Sequence, residues 1–130
     1  MQKILLYLIY LTFLFIIGCS KKYEKTSFYE SGELKERYVY SSKSDYASNL
    51  NYDAYLYYKN GELKNFTTVR EGKNEGKYLN YYENGRIKRI TNFSNGKKHG
   101  IDKYFTSNGE LAEEGFYLND IHLIKMKVFF

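Results

Sequence analysis

The chain has 130 residues, enough for one domain or a short array, and at 43% hydrophobic and 27% charged its composition excludes a disordered polymer. Sixteen Tyr and nine Phe stand beside no Trp and no Pro, and aliphatic residues are scarce after the first twenty positions, which argues against a thick two-layer core and for rings laid on a thin sheet. The formal charge of +5 comes without a continuous basic tract, so nucleic acid is not an expected partner.

Lys3 is the only charge before an apolar run from Ile4 to Ile17 that ends at Gly18-Cys19. As a helix this run would span about 21 Å, short of the ~30 Å hydrocarbon core, so residues 1–18 read as a signal-peptide helix rather than a membrane span. Cys19 is the only cysteine, which excludes an intramolecular disulfide and a cysteine-based zinc site. Ile16-Ile17-Gly18-Cys19 resembles the lipobox of bacterial lipoproteins. That resemblance implies cleavage before Cys19, acylation of Cys19 with fatty acids such as palmitate, and a place in the bacterial cell envelope: the outer membrane where there is one, otherwise the outer face of the plasma membrane. Residues 19–27 have no apolar period and read as a tether, in which Lys21, Lys22 and Lys25 either favour anionic headgroups or keep a spacer soluble.

Residues 28–130 read as a repeat array. Asn60-Gly61, Asn84-Gly85 and Asn108-Gly109 recur every 24 residues, each followed by an aliphatic residue at the next-but-one position: Leu63, Ile87 and Leu111. Val69, Phe93 and Tyr117 keep the same step, as do Tyr57, Tyr81, Phe105 and Phe129. Gly72-Lys73 and Gly96-Lys97 mark a second turn in each period, which decays to Asp120-Ile121 in the last. Between the turns, Ile87, Arg89, Thr91 and Phe93 alternate with Lys88, Ile90 and Asn92, the period of a strand, and a Gly every dozen residues would interrupt any helix. The units are residues 28–56, 57–80, 81–104 and 105–130; the first carries a five-residue insertion within 41–53, expected as an enlarged hairpin loop.

Tyr82-Glu83-Asn84-Gly85-Arg86-Ile87-Lys88 and Phe93-Ser94-Asn95-Gly96-Lys97-Lys98-His99-Gly100, echoed at 58–76 and less fully at 106–124, resemble degenerate MORN repeats, above all the variant grouped as the YwqK-type antitoxin family. The resemblance covers 28–130. It implies an all-β, elongated, single-layer antiparallel meander of stacked hairpins, and a protein-binding or scaffolding role. The alternative it offers is an antitoxin or immunity protein that neutralises a partner toxin by binding.

The three 24-residue ladders are expected to form the core. Tyr78, Tyr82 and Tyr104 have the other parity and are expected on the opposite face with Lys64, Lys88 and Arg70, as a binding surface for protein or glycan, or as the wet face a thin sheet needs. The last strand is apolar on both parities, so Met126, Val128, Phe129 and Phe130 are expected to make an edge contact, by self-association or by a partner adding a strand. His99 and His122 share no metal-ligand spacing and no Ser lies in a nucleophile elbow, so neither an enzyme nor a cofactor or metal site is expected.

Overall fold

The computed structural model describes residues 23–127. The signal-peptide helix, Cys19 and the edge residues Val128, Phe129 and Phe130 lie outside them.

The turn chemistry sets the architecture. Among the described residues nine strands follow in chain order: β1 (Tyr23–Phe28), β2 (Leu34–Tyr40), β3 (Tyr52–Tyr57), β4 (Leu63–Arg70), β5 (Lys73–Tyr81), β6 (Ile87–Ser94), β7 (Lys97–Phe105), β8 (Leu111–Leu118) and β9 (Ile121–Lys127). They form one sheet in sequential order with every neighbouring pair antiparallel, the expected meander. A short helix, α1 (Lys43–Ser48), lies between β2 and β3.

Two kinds of turn alternate. Glu71-Gly72, Asn95-Gly96 and Asn119-Asp120 hold both central residues at positive φ, the requirement of a two-residue hairpin turn whose twist matches that of the strands. The third copy keeps this turn although its glycine has become Asp120 (φ 70°). The Asn-Gly pairs build something wider. Tyr58 N–H donates to Glu62 O and Gly61 N–H to Tyr58 O, while Asn60 Oδ1 accepts from Glu62 N–H, and of this pair only Gly61 has positive φ. Residues 82–86 repeat the same loop.

Strand β1 corrects the tether expectation at its second half. Tyr23, Lys25 and Ser27 stand opposite Tyr40, Tyr38 and Glu36, so residues 23–27 belong to the sheet, and any tether shortens to the stretch before Tyr23. Sequence alone missed this strand because its period-two pattern is carried by Tyr, Lys and Ser rather than by apolar residues.

The insertion is also more than a loop. Ser42 caps α1 by accepting from Asp45 N–H at 3.1 Å, and Asn49, at φ 57°, closes it. Tyr46 lays its ring edge-on to Tyr40 at 5.3 Å, and the Lys25 ammonium sits 5.0 and 4.8 Å from the Tyr40 and Tyr46 ring centres. These contacts fold the insertion over the β1–β2 corner.

The buried residues are few and lie on one face. Tyr40, Ala54, Asn65, Val69 and Thr91 are the buried residues among those described, and the register puts them all on what we call the front face. The back face carries Tyr55, Phe66, Leu79 and Ile90 in one cross-strand row, with Tyr55 and Phe66 ring centres 5.1 Å apart. Units are tied to each other by tyrosines: Tyr29, Tyr58 and Tyr82 donate their hydroxyls to the carbonyls of Tyr57, Tyr81 and Phe105 at 2.7, 2.8 and 2.8 Å.

Candidate binding surface

A β-bulge at each hairpin changes the expected sorting of faces. Asn80 pairs with Arg89, but the next residue, Tyr81, pairs with Ile87, so one residue is dropped from the ladder and the alternation breaks. The extra residue is Lys88 on β6, so Tyr81 and its partner Ile87 are parted from the front-face residues Arg89, Thr91 and Phe93, while Tyr78 shares their face. Tyr78 stands opposite Thr91, accepts from Asn65 Nδ2–H and meets Phe93 edge-on at 6.2 Å. Tyr104 is on the front as well, opposite Arg89 and Glu113.

The six expected surface residues thus do not form one patch. Strand alternation puts Lys64, Lys88 and Arg70 on the back. Lys88 and Lys64 lie over the hairpin tyrosines Tyr82 and Tyr58, at 5.4 and 5.5 Å. Arg70 sits at the other end of its strand, 3.6 Å from Asp53 and donating to Tyr52 O. The structure brings together Tyr82, Tyr104 and Lys88, with the Tyr82 and Tyr104 hydroxyl oxygens in hydrogen-bond contact at 3.1 Å. That bond first, then burial and the neighbouring phenol, pushes the Tyr82 hydroxyl up to about 12.

Beside Tyr104 the front face opens into a cleft of about 170 Å³ that sequence reasoning did not single out. Its ionic centre is Arg89, whose Nε–H and Nη2–H donate to both oxygens of Asp102 at 2.9 and 2.6 Å, while the buried Thr91 hydroxyl donates to the same carboxylate at 2.7 Å. Burial pushes the Asp102 carboxyl up, but the hydrogen bonds from Arg89 and Thr91 outweigh it and hold the group below the usual carboxylate range. Gly115 forms the floor, next to Asp102 and Lys125 in register, and His122 stacks on Tyr117 at 4.7 Å. Lys125 closes one side with an ion pair to Glu113 at 3.0 Å.

The 24-residue step does hold the signal for this cleft. Thr67 and Thr91 are followed at the next step by Gly115, and Asn65 and Tyr78 by Arg89 and Asp102. One side chain disappears from the floor, and a neutral hydrogen-bonded pair becomes an ionic one.

The C-terminal corner differs in kind. Every residue of β9 is exposed, and on the back face Ile101, Phe116 and Ile124 form one row over three strands, 41, 40 and 56% exposed. Met126, expected as an edge contact, lies on the same face and is exposed too. Among the described residues no group of His, Cys, Asp and Glu could hold a metal ion, and no helix is long and apolar enough to cross a membrane.

Residues 74–95 and 98–119 each match the family model for a MORN repeat variant, and each match spans two strands joined by one wide Asn-Gly loop. Over those residues the chain is similar to the MORN repeat variant. No curated protein and no solved structure matches the chain. The matched, MORN-like unit is the pair β5–β6 or β7–β8, tied to the next unit by a hairpin tyrosine such as Tyr82.

Proposed function

We propose that the protein is a lipid-anchored module of the bacterial cell envelope, held to a membrane through acylated Cys19, whose repeat sheet binds another protein. The observation that carries the binding role is the exposed apolar corner of β8 and β9 on a sheet with no second layer among the described residues. A monomer that exposes a contiguous apolar patch of this kind signals a site of contact. MORN-type repeats, which commonly act as protein- or membrane-binding modules, support the same reading. The anchor rests on the lipobox and on the absence of any other cysteine to compete with Cys19.

Intact mass and membrane partition, wild type beside Cys19→Ala, test the anchor. An acylated species that starts at Cys19 and is lost in the variant is the expected result; an unprocessed, unmodified chain would remove the envelope address. Photocrosslinking from the back face at position 116 in intact cells tests the binding role, with a discrete protein adduct expected. An adduct with a toxic protein encoded beside this chain would turn the module into an immunity protein.

A further inference from the structure

The two edges of the sheet are treated differently. At β1 the insertion folds over the corner, Tyr46 packs on Tyr23 and Tyr40, and Lys25 is held between Tyr40 and Tyr46. At β9 nothing comparable is present among the described residues: β8 is its one strand partner, and Ile121, Leu123, Ile124 and Met126 are between 52 and 62% exposed. The outward backbone groups of an antiparallel edge strand offer a template for another strand.

The two faces of β9 state what that strand should carry. On the back, Ile124 continues the row of Ile101 and Phe116, and Met126 lies beside it, which asks for apolar side chains. On the front, Lys125 and Lys127 stand together, and the one carboxylate opposite them, Glu113, is engaged by Lys125. Within the array, β8 already meets β9 with Phe116 on the back and Glu113 on the front.

We propose that β9 accepts an extended segment of a partner protein in which apolar and acidic residues alternate, the apolar ones continuing the back-face row and the acidic ones facing Lys125 and Lys127. The same lysines reject a second copy of this chain. Two β9 strands paired antiparallel about Lys125 set Lys125 against its own copy, pairing about Met126 sets Lys125 against Lys127, and pairing about Ile124 brings the bulge at Leu123 into the ladder. Like-charge opposition of this sort selects between partners as much as attraction does. This inference rests on the protein-binding reading above and narrows it to one edge.

Fluorescence anisotropy of the full chain in detergent, with the synthetic peptide Val-Glu-Val-Glu-Val-Glu-Val and its lysine counterpart, tests it. The glutamate peptide is expected to bind about tenfold more tightly, and N-methylation of alternate peptide nitrogens to abolish binding. Lys125→Glu with Lys127→Glu should reverse the preference. Because a glutamate at either position would stand against Glu113, Lys127→Gln, which leaves the Lys125–Glu113 ion pair in place, is the milder variant and should narrow it. Equal affinity for both peptides, no binding of either, or a wild-type dimer in sedimentation that the glutamate peptide does not dissociate would each overturn the proposal. A crosslinked cellular partner retained in full by the double variant would also overturn it, while leaving the broader binding role intact.

Discussion

Arg89 and Asp102 are joined by two parallel hydrogen bonds in the centre of an otherwise thin sheet, and Asp102 keeps only 11% of its side-chain surface in water. Such a fork-to-fork pair is both stronger and more directional than a point-charge contact. In the preceding unit the same two positions hold Asn65 and Tyr78, which shows the sheet accepting either chemistry as long as the pair is complete.

Breaking that pair should therefore be costly. Asp102→Ala leaves the Arg89 guanidinium and the buried Thr91 hydroxyl without their acceptor, and a loss of about 2 kcal/mol is expected in urea unfolding. Thr91→Val, which leaves the ion pair intact, should cost about 1 kcal/mol.

The pair also fixes an acid limb. Because the folded-state pKa of Asp102 is depressed, its contribution is complete above the unfolded carboxylate value of about 3.9 and fades as pH falls through the folded value. Stability measured from pH 6 down to about pH 2 should fall less steeply at the acid end for Asp102→Asn than for wild type. Equal slopes would show that Asp102 is not a source of the acid sensitivity.

Tyr82 gives a second titration. Its hydroxyl, pushed up to about 12 by the hydrogen bond it shares with Tyr104, should be among the last phenols to ionise in a ring-carbon NMR titration. Tyr104→Phe should return Tyr82 toward the ordinary tyrosine value, with the tie to Phe105 O retained.

The hairpin turns offer a gain instead of a loss. Glu71 sits at φ 51°, a conformation an ordinary side chain adopts at a cost, where the next unit uses Asn95. Glu71→Asn is expected to stabilise by about 0.5 kcal/mol. Gly96→Ala should destabilise by about 1 kcal/mol, since φ is 80° and a new Cβ would meet Lys73 Cβ at 3.4 Å. Thermal unfolding of the two variants checks both signs.

The insertion should open without the sheet. Tyr46→Ala removes the ring that packs on Tyr23 and Tyr40, so cleavage within 43–48 by a broad-specificity protease should accelerate several-fold. The amides of β5 to β7 should keep their exchange protection.

The strands and turns were legible because Asn-Gly, Gly-Lys and the aromatic positions recur every 24 residues, and periodicity survives even when no single residue is decisive. What stayed hidden depends on register. The shift opposite Asn80 and Tyr81 is one extra residue on β6, invisible in the chain, yet it parts Ile87 and Tyr81 from Phe93, so that Tyr78, and Tyr104 opposite Arg89, lie on the face of Phe93 instead. The cleft at Arg89 and Asp102 hid for a related reason: its residues are scattered over four strands from Arg89 to Lys125, and only the pairing of β6 to β9 brings them to one spot. Strand β1 hid because Tyr23, Lys25 and Ser27 look like linker chemistry until Tyr40, Tyr38 and Glu36 are set opposite them.

Every strand in this sheet finds its neighbour next to it in sequence, so no long loop has to close before a contact forms. For an all-β chain that is a low contact order, and it favours quick, stepwise folding. As synthesis proceeds, each new strand meets a finished template one turn behind it, and the sheet can lengthen like a zipper from its N-terminal end.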